Sequence, residues 1–191
     1  FKAIKPKGGE MPVVMGSGGS GILLHEAIGH AFEADFNRKD ISIFASQLNK
    51  KVCNEHINVV DDGTIPFNRG SVNFDDEGVE GQKTYIVKEG VLTSYLHDRI
   101  SAKHYGIPST GNGRRESFRQ MPIPRMRATY MEAGNMTEEE MISTVKKGIY
   151  ASSFTNGQVQ IGAGDFTFFV KDGYLIENGK LTQPIKDINI I

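Results

Sequence analysis

Residues 16–30 read GSGGSGILLHEAIGH, a glycine-rich turn followed by an apolar helix start and a pair of histidines. His25, Glu26 and His30 lie within six consecutive positions of this stretch. Neutral imidazole binds Zn²⁺ well, and a neighbouring carboxylate can act as a base towards water that the metal activates. The stretch therefore indicates a hydrolytic metal site carried on a helix.

The spacing of the two histidines differs from that of the common His-Glu-x-x-His motif. Residues four apart lie about 40° apart around an α-helix, whereas residues five apart diverge by about 140°. A single-turn π-bulge, a distortion frequent at functional sites, would bring His25 and His30 together, and Gly29 permits it at little cost. The alternative is two unrelated histidines on a partly buried helix with Glu26 in solvent, and the spacing alone leaves it open.

The glycines allow a second interpretation of the same stretch. After a short predicted strand at 12–15, the pattern G-x-G-x-x-G at 16–21 is the dinucleotide-binding fingerprint, which requires an acidic residue at the end of a second strand. Asp35 and Asp40 lie near the required distance, but the strand-like residues 41–44 follow them. The sequence therefore favours a tight turn beside the metal site, whose amides could hold a carboxylate or an oxyanion.

Length and composition set outer bounds on the protein. A chain of 191 residues suits one or two domains with a proper core. A net charge of −1 gives no electrostatic case for nucleic acid or a membrane surface, and no apolar run is long enough to span a bilayer. A single cysteine, Cys53, and the lack of a signal peptide favour the cytoplasm. The opening Phe1 and the strand-like ending suggest a piece of a longer protein.

The pattern of turns and apolar residues predicts few helices and many hairpins. A first helix is expected at 21–36, and a second begins after Thr137, which forms a capping box with Glu140. An α+β fold follows, with a mainly antiparallel sheet built from hairpins. The predicted strands are 57–61, 83–88, 91–97, 158–161, 166–170, 174–177 and 180–185, with turns at Glu89-Gly90 and at the type I′ pair Asn178-Gly179.

Several acidic and histidine residues outside this stretch could also bind ions. The acidic groups at 61–62 and 75–77 each precede a glycine and lack the alternating spacing of a calcium loop, which is more typical of turns. His56, His97 and His104 have no ligand-like companions, so surface or core positions are expected for them.

Arg114 and Arg115 follow two glycines and are candidates for substrate binding. Arginine forks grip carboxylates through two hydrogen bonds, which would suit the end or a side chain of a peptide. A solvated loop or a structural ion pair would explain the pair equally. Further arginines up to Arg127 extend this basic stretch without the interleaved aromatic residues of a nucleic-acid surface.

Eight stretches of the chain, taken in order, resemble the TldD branch of the TldD/PmbA family, and they cover nearly its whole length. They are GEMPVV at 9–14, ILLHEAIGH at 22–30, EADFNR at 33–38, VVDDGT at 59–64, DDEG at 75–78, PSTGNGRRES at 108–117, MPIPRM at 121–126 and YLIENGK at 174–180.

This resemblance implies a cytoplasmic zinc metallopeptidase that acts on peptides or unfolded protein segments, in a family historically described as modulators of DNA gyrase. It implies that His25 and His30 are zinc ligands and that Glu26 is the catalytic acid–base residue, with iron as the alternative metal. The family's third ligand is a cysteine in a glycine-rich segment near its C-terminus, and Cys53 matches that residue in neither position nor context.

The resemblance also implies that residues 1–191 are a fragment of the metallopeptidase domain, without the N-terminal domain and the extreme C-terminal segment, and inactive alone. The expected partner is a PmbA- or TldE-type homologous subunit or a second copy of the protein. Neither direct binding of nucleic acid nor association with a membrane is expected. The loop at 16–21 departs from the family, which often has Pro and Trp there. The alternative function is a non-enzymatic peptide- or partner-binding module, which needs no metal.

Overall fold

A computed structural model describes residues 3–191, and it divides the chain into two compact units. One unit combines the chain up to Glu26 with Gly134–Val159 and Asp165–Ile191, and the other combines Ala27–Ala133 with Gln160–Gly164. The architecture is α+β, as predicted. In chain order the strands are β1 (Val13–Met15), β2 (Val59–Asp62), β3 (Lys83–Lys88), β4 (Val91–Leu92), β5 (Gly113–Arg114), β6 (Ile123–Pro124), β7 (Thr129–Met131), β8 (Lys147–Gln160), β9 (Asp165–Glu177), β10 (Lys180–Pro184) and β11 (Ile188–Ile190).

The first unit is built on a five-stranded sheet in the order β1-β8-β9-β10, with β11 also pairing with β9. The strands β1 and β8 pair in parallel, with Val14 opposite Tyr150, and β10 and β11 pair with β9 in antiparallel fashion. The strands β9 and β10 form a hairpin across Asn178-Gly179, where both residues have positive φ (51° and 76°), as a type I′ turn requires. The predicted turn is confirmed. One hydrophobic cluster of this unit consists of the buried residues Val14, Ile142, Val145 and Ile176.

The second unit holds a four-stranded antiparallel sheet in the order β4-β3-β2-β7 and the two-stranded pair β5-β6. Glu89 and Gly90 again have positive φ (49° and 76°) at the turn between β3 and β4. Every residue of β2 is buried, so the carboxylates at its end are inside the protein. The largest fully buried apolar side chains of this unit are Tyr95, Phe32, Ile86, Leu92 and Leu96.

The helices are short: α1 (Gly21–Leu23), α2 (Ala34–Asn37), α3 (Arg99–Tyr105) and α4 (Glu138–Thr144). The predicted capping box of α4 is confirmed, because Glu140 Oε2 accepts from Thr137 N at 2.7 Å and Thr137 Oγ1 accepts from Glu140 N at 3.2 Å. The sequence did not predict α3, which Asp98 caps by accepting from Ser101 N at 2.7 Å. Within residues 3–191, no helix has the length and apolar character that crossing a membrane requires.

Three strand predictions differ from the structure in extent. The predicted strand at 158–161 is only the end of the long strand β8. The predicted strand at 91–97 is a strand only at Val91–Leu92, because the chain then leaves the sheet and pairs through a single bridge between Leu96 and Glu33. The predicted strands 166–170 and 174–177 are one continuous strand, β9. Gly173 lies inside it, between the two predicted strands, where a Cβ would lie 2.6 Å from the Tyr150 carbonyl oxygen. The glycine therefore allows two neighbouring strands to approach closely.

Candidate metal centre

The backbone of residues 21–37 changes its helical type several times. After α1 it forms a π-helix at Leu24–Gly29, then a 3₁₀ turn at His30–Phe32, and it is extended at Glu33 before α2. The predicted single helix at 21–36 is therefore wrong, whereas the departure from α geometry between the two histidines is confirmed. A π-helix bonds residues five apart, which brings two side chains at this spacing towards one face.

The π-helix and the turn after it bring His25, Glu26 and His30 together. One potential ligand atom from each residue lies within 4.8 Å of the other two. His25 is exposed, and Glu26 and His30 are half-buried, so the group is accessible to solvent. Two imidazoles and one carboxylate at this separation can hold a divalent cation such as Zn²⁺.

The glycine-rich loop before the helix makes a tight turn against β8. Gly16 N donates to the Ala151 carbonyl at 2.9 Å, and a Cβ on Gly16 would lie 2.6 Å from the Tyr150 hydroxyl oxygen. Gly18 has a φ of +80°. Residues 41–44, the strand that a dinucleotide fold would need, contain turns and no strand. The glycines therefore allow close packing and a tight turn, as the sequence favoured.

His30 contacts Glu33, which in turn contacts Arg125, and the sequence did not predict these interactions. Its Nδ1 lies 3.0 Å from Oε2 of Glu33, a carboxylate that is 0% exposed. The same Glu33 oxygen accepts from the Arg125 guanidinium at 3.1 Å, and Arg125 also lies 3.6 Å from Asp35. The contact of His30 with Glu33 could have been inferred from their spacing of three residues. The contact of Glu33 with Arg125 could not, because the two residues are 92 positions apart in the chain.

Asp62 and Asp75 stabilise turns, as their sequence context suggested, whereas Asp61 lies within β2 and bonds to distant segments. Asp75 Oδ1 accepts from the main-chain N–H groups of Glu77 and Val79 at 2.8 and 2.9 Å. Asp61 accepts from Asn112, Arg127 and Thr129. Burial raises the pKa of Asp61, and these hydrogen bonds act in the opposite direction.

The remaining histidines and the cysteine occupy ordinary positions. His97 is buried among aromatic rings, with its centroid 5.3 Å from that of Tyr105, and burial lowers its pKa to about 4. His56 and His104 are exposed. Burial raises the pKa of the Cys53 thiol, so less of the thiolate that metals bind is present at neutral pH.

Two histidines and a glutamate grouped on a distorted helix of an α+β fold are residue types that metal-dependent hydrolases use. The comparison with known families agrees with this class. The family described as the PmbA/TldA metallopeptidase C-terminal domain matches residues 8–191, and the chain belongs to that family.

Several relatives and solved structures have names that agree with this family. The chain is 50% identical over 183 residues to the metalloprotease TldD homologue of Buchnera aphidicola from Acyrthosiphon pisum, which covers 96% of this chain and 38% of the relative. It is 36% identical over 191 residues to the zinc metalloprotease TldD homologue of Saccharolobus solfataricus, and this match covers 100% of this chain and 42% of that relative. A solved structure of a candidate modulator of a DNA gyrase from Thermotoga maritima superposes on this chain with a TM-score of 0.88 at 25% identity. The match covers 98% of this chain and 42% of that one. The chain thus spans about two fifths of the length of these proteins.

Proposed function

We propose that this chain is the metal-binding part of a longer TldD-type zinc peptidase that hydrolyses peptides or unfolded protein segments. The observation that supports this most is the grouping of His25, Glu26 and His30 on the distorted helix, with ligand atoms within 4.8 Å of one another. The family description names a metallopeptidase, and one relative's name specifies zinc.

The donor set suits Zn²⁺, which proteins bind through neutral imidazoles, thiolates and carboxylates. His25 and His30 would hold the ion, and His30 would use Nε2 because its Nδ1 is bonded to Glu33. Bound zinc supplies Lewis acidity, which polarises the scissile carbonyl and makes a coordinated water more acidic. The third ligand that the resemblance implies is a cysteine other than Cys53. Iron is the alternative metal, because imidazole also suits iron.

Glu26 is the proposed acid–base residue. It directly follows His25, so its half-buried carboxylate lies beside both imidazoles. A carboxylate in this position takes a proton from the attacking water and delivers it to the nitrogen of the leaving amine. Protonation of that nitrogen lets the C–N bond break without expelling an amide anion.

The substrate is proposed to bind as an extended strand along β1. Among the described residues, β1 pairs with β8 on one side, and its other side is the edge of the sheet. The chain passes from β1 through the glycine loop directly to the helix that carries His25. Pairing with main-chain groups at a sheet edge reads little of the side-chain sequence, which suits a preference for unfolded chains.

Arg114 and Arg115 are proposed to bind a carboxylate of the peptide. Arg114 is the last residue of β5 and Arg115 directly follows it, and both residues are exposed. The main-chain N–H of Arg115 donates to Asp76 Oδ2 at 2.8 Å. A backbone fixed in this way reduces the entropy lost when an exposed guanidinium engages a carboxylate through two bonds.

The partner is proposed to be a homologous subunit of the PmbA or TldE type, or a second copy of the protein, acting in the cytoplasm. The family that matches this chain joins PmbA-type and TldA-type proteins, which supports a homologous pair. The alternative function is a module that binds peptides without cutting them, and metal dependence separates the two.

Removal of the metal from the full-length protein tests this function. Hydrolysis of an unstructured peptide should stop after dialysis against a chelator and return when one equivalent of zinc is added, because the metal provides the Lewis acid. The 191-residue chain alone should retain little zinc and show no hydrolysis, since two neutral imidazoles leave most of the charge of the ion uncompensated. Peptide binding that is unchanged by chelation, with no cleavage in either state, would support the binding module instead.

A further inference from the structure

Glu33 lies where the helical segment ends, and its backbone is tied to a neighbouring segment. Its φ and ψ are −69° and 127°, so the chain is extended there. It forms a parallel bridge with Leu96, with Leu96 N donating to the Phe32 carbonyl and Ala34 N donating to the Leu96 carbonyl, both at 3.0 Å. The backbone at Glu33 is therefore held by main-chain hydrogen bonds of both neighbouring residues.

The carboxylate of Glu33 uses both of its oxygens. Oε2 lies 3.0 Å from His30 Nδ1 and 3.1 Å from an Arg125 guanidinium nitrogen, and Oε1 accepts from Met126 N at 3.3 Å. The side chain is 0% exposed, so solvent does not compete for these contacts. A buried carboxylate is costly unless it is paired, and Arg125 supplies the compensating positive charge.

Arg125 is in turn held in place from several directions. The same guanidinium nitrogen donates to the Pro124 carbonyl at 2.7 Å and lies 3.6 Å from Asp35 Oδ2. The guanidinium carbon lies 5.8 Å from the centroid of the Phe36 ring. The guanidinium is thereby fixed at Glu33 and has little freedom to release it.

We propose that Glu33 is the positioning residue for His30, and that Arg125 holds Glu33 in place. A carboxylate accepts and does not donate, so His30 Nδ1 carries the hydrogen and Nε2 is left with a lone pair for the metal. A carboxylate bonded to a ligand histidine fixes the tautomer and orientation of the ring and raises its basicity. This role rests on the proposed function, because it concerns the ligand histidine of that site.

The test compares Glu33→Gln with Glu55→Gln in the full-length protein. Glu55 is an exposed carboxylate that pairs with Lys51, so it matches the chemical change without touching the site. Zinc affinity, measured by competition with a chromophoric chelator, should fall 10- to 100-fold in Glu33→Gln and stay within about twofold in Glu55→Gln. An equal affinity in folded Glu33→Gln and wild type would overturn the proposal.

The tautomer of His30 in the metal-free protein provides a readout that a purely structural role would not change. Two-bond ¹H–¹⁵N spectra of the histidine rings should show hydrogen on Nδ1 of His30 in the wild type and a mixture of tautomers in Glu33→Gln. A loss of zinc affinity without any change of tautomer would overturn the positioning role. This spectrum needs no metal, so it tests the positioning role of Glu33 by itself. The proposed function is tested separately, and it fails if the wild type binds no zinc at His25 and His30.

Arg125→Lys gives a second variant in case Glu33→Gln does not fold. Lysine keeps the positive charge but has no planar fork, so it holds the carboxylate less rigidly. We expect a smaller loss of zinc affinity, about 3- to 10-fold, with partial mixing of the His30 tautomers. A folded Arg125→Lys protein with wild-type affinity and a single tautomer would count against the role of Arg125.

Discussion

Replacement of Glu26 by glutamine should reduce peptide hydrolysis by the full-length protein by roughly 10²–10⁴-fold while zinc stays bound. Glutamine keeps the size of the side chain but cannot take a proton from the attacking water at neutral pH. His25 and His30 are unchanged, so the metal content, measured by elemental analysis, should stay near the wild-type value. The assay compares initial rates of cleavage of an unstructured peptide at saturating concentration.

Glu10→Gln provides the matched control for this variant. Glu10 is exposed and precedes β1, so its replacement should leave the cleavage rate within about twofold of the wild type. Undiminished turnover in Glu26→Gln would show that another residue transfers the proton. Loss of zinc together with activity would show that Glu26 is a metal ligand and not the base.

Replacement of Asp61 by alanine should lower the free energy of unfolding of the protein by about 3–5 kcal/mol. Three hydrogen-bond donors lose their acceptor at a cost of ~1–3 kcal/mol each, and this loss is partly offset because the desolvation cost of the buried carboxylate is also removed. The donors are Asn112 Nδ2 at 2.7 Å, Arg127 N at 2.9 Å and Thr129 Oγ1 at 2.7 Å. Asp61 is 1% exposed, so solvent cannot replace it without opening the structure. Urea unfolding followed by circular dichroism measures the change.

A second variant at position 61 tests the charge of the side chain, and a variant at the exposed Asp172 serves as the control. Asp61→Asn keeps one acceptor oxygen and should lose about half as much stability. Asp172→Ala removes an exposed carboxylate that accepts from Ser153 Oγ at 2.6 Å and should cost less than about 0.5 kcal/mol. A similar loss for Asp172→Ala and Asp61→Ala would contradict the buried role of Asp61.

The parts of the fold that depend on neighbours in sequence could be predicted. The turn at Asn178-Gly179 follows from the need for positive φ, and the cap of α4 follows from Thr137 and Glu140. The distortion of the metal-motif helix also has a local cause. His25 and His30 can face one ion only if the helix departs from α geometry, and the π-helix between them confirms that expectation.

The parts that depend on distant neighbours could not be predicted. The parallel pairing of Val14 with Tyr150 joins segments far apart in the chain. The predicted strands 166–170 and 174–177 are one strand, and the close approach of Tyr150 to Gly173 between them is visible only in the folded chain. The contact of Glu33 with Arg125 has the same character. The sequence placed Arg125 in a basic stretch, and only the folded chain shows that it compensates a buried carboxylate behind a candidate ligand.

The most direct test of the central claim is anomalous diffraction, recorded on both sides of the zinc absorption edge, from zinc-loaded crystals of the full-length protein. The proposed centre predicts one strong peak at about 2.0–2.1 Å from a nitrogen of His25 and from Nε2 of His30. A peak bonded to neither imidazole, or zinc held elsewhere with both histidines free of it, would contradict the assignment of this segment as the metal centre.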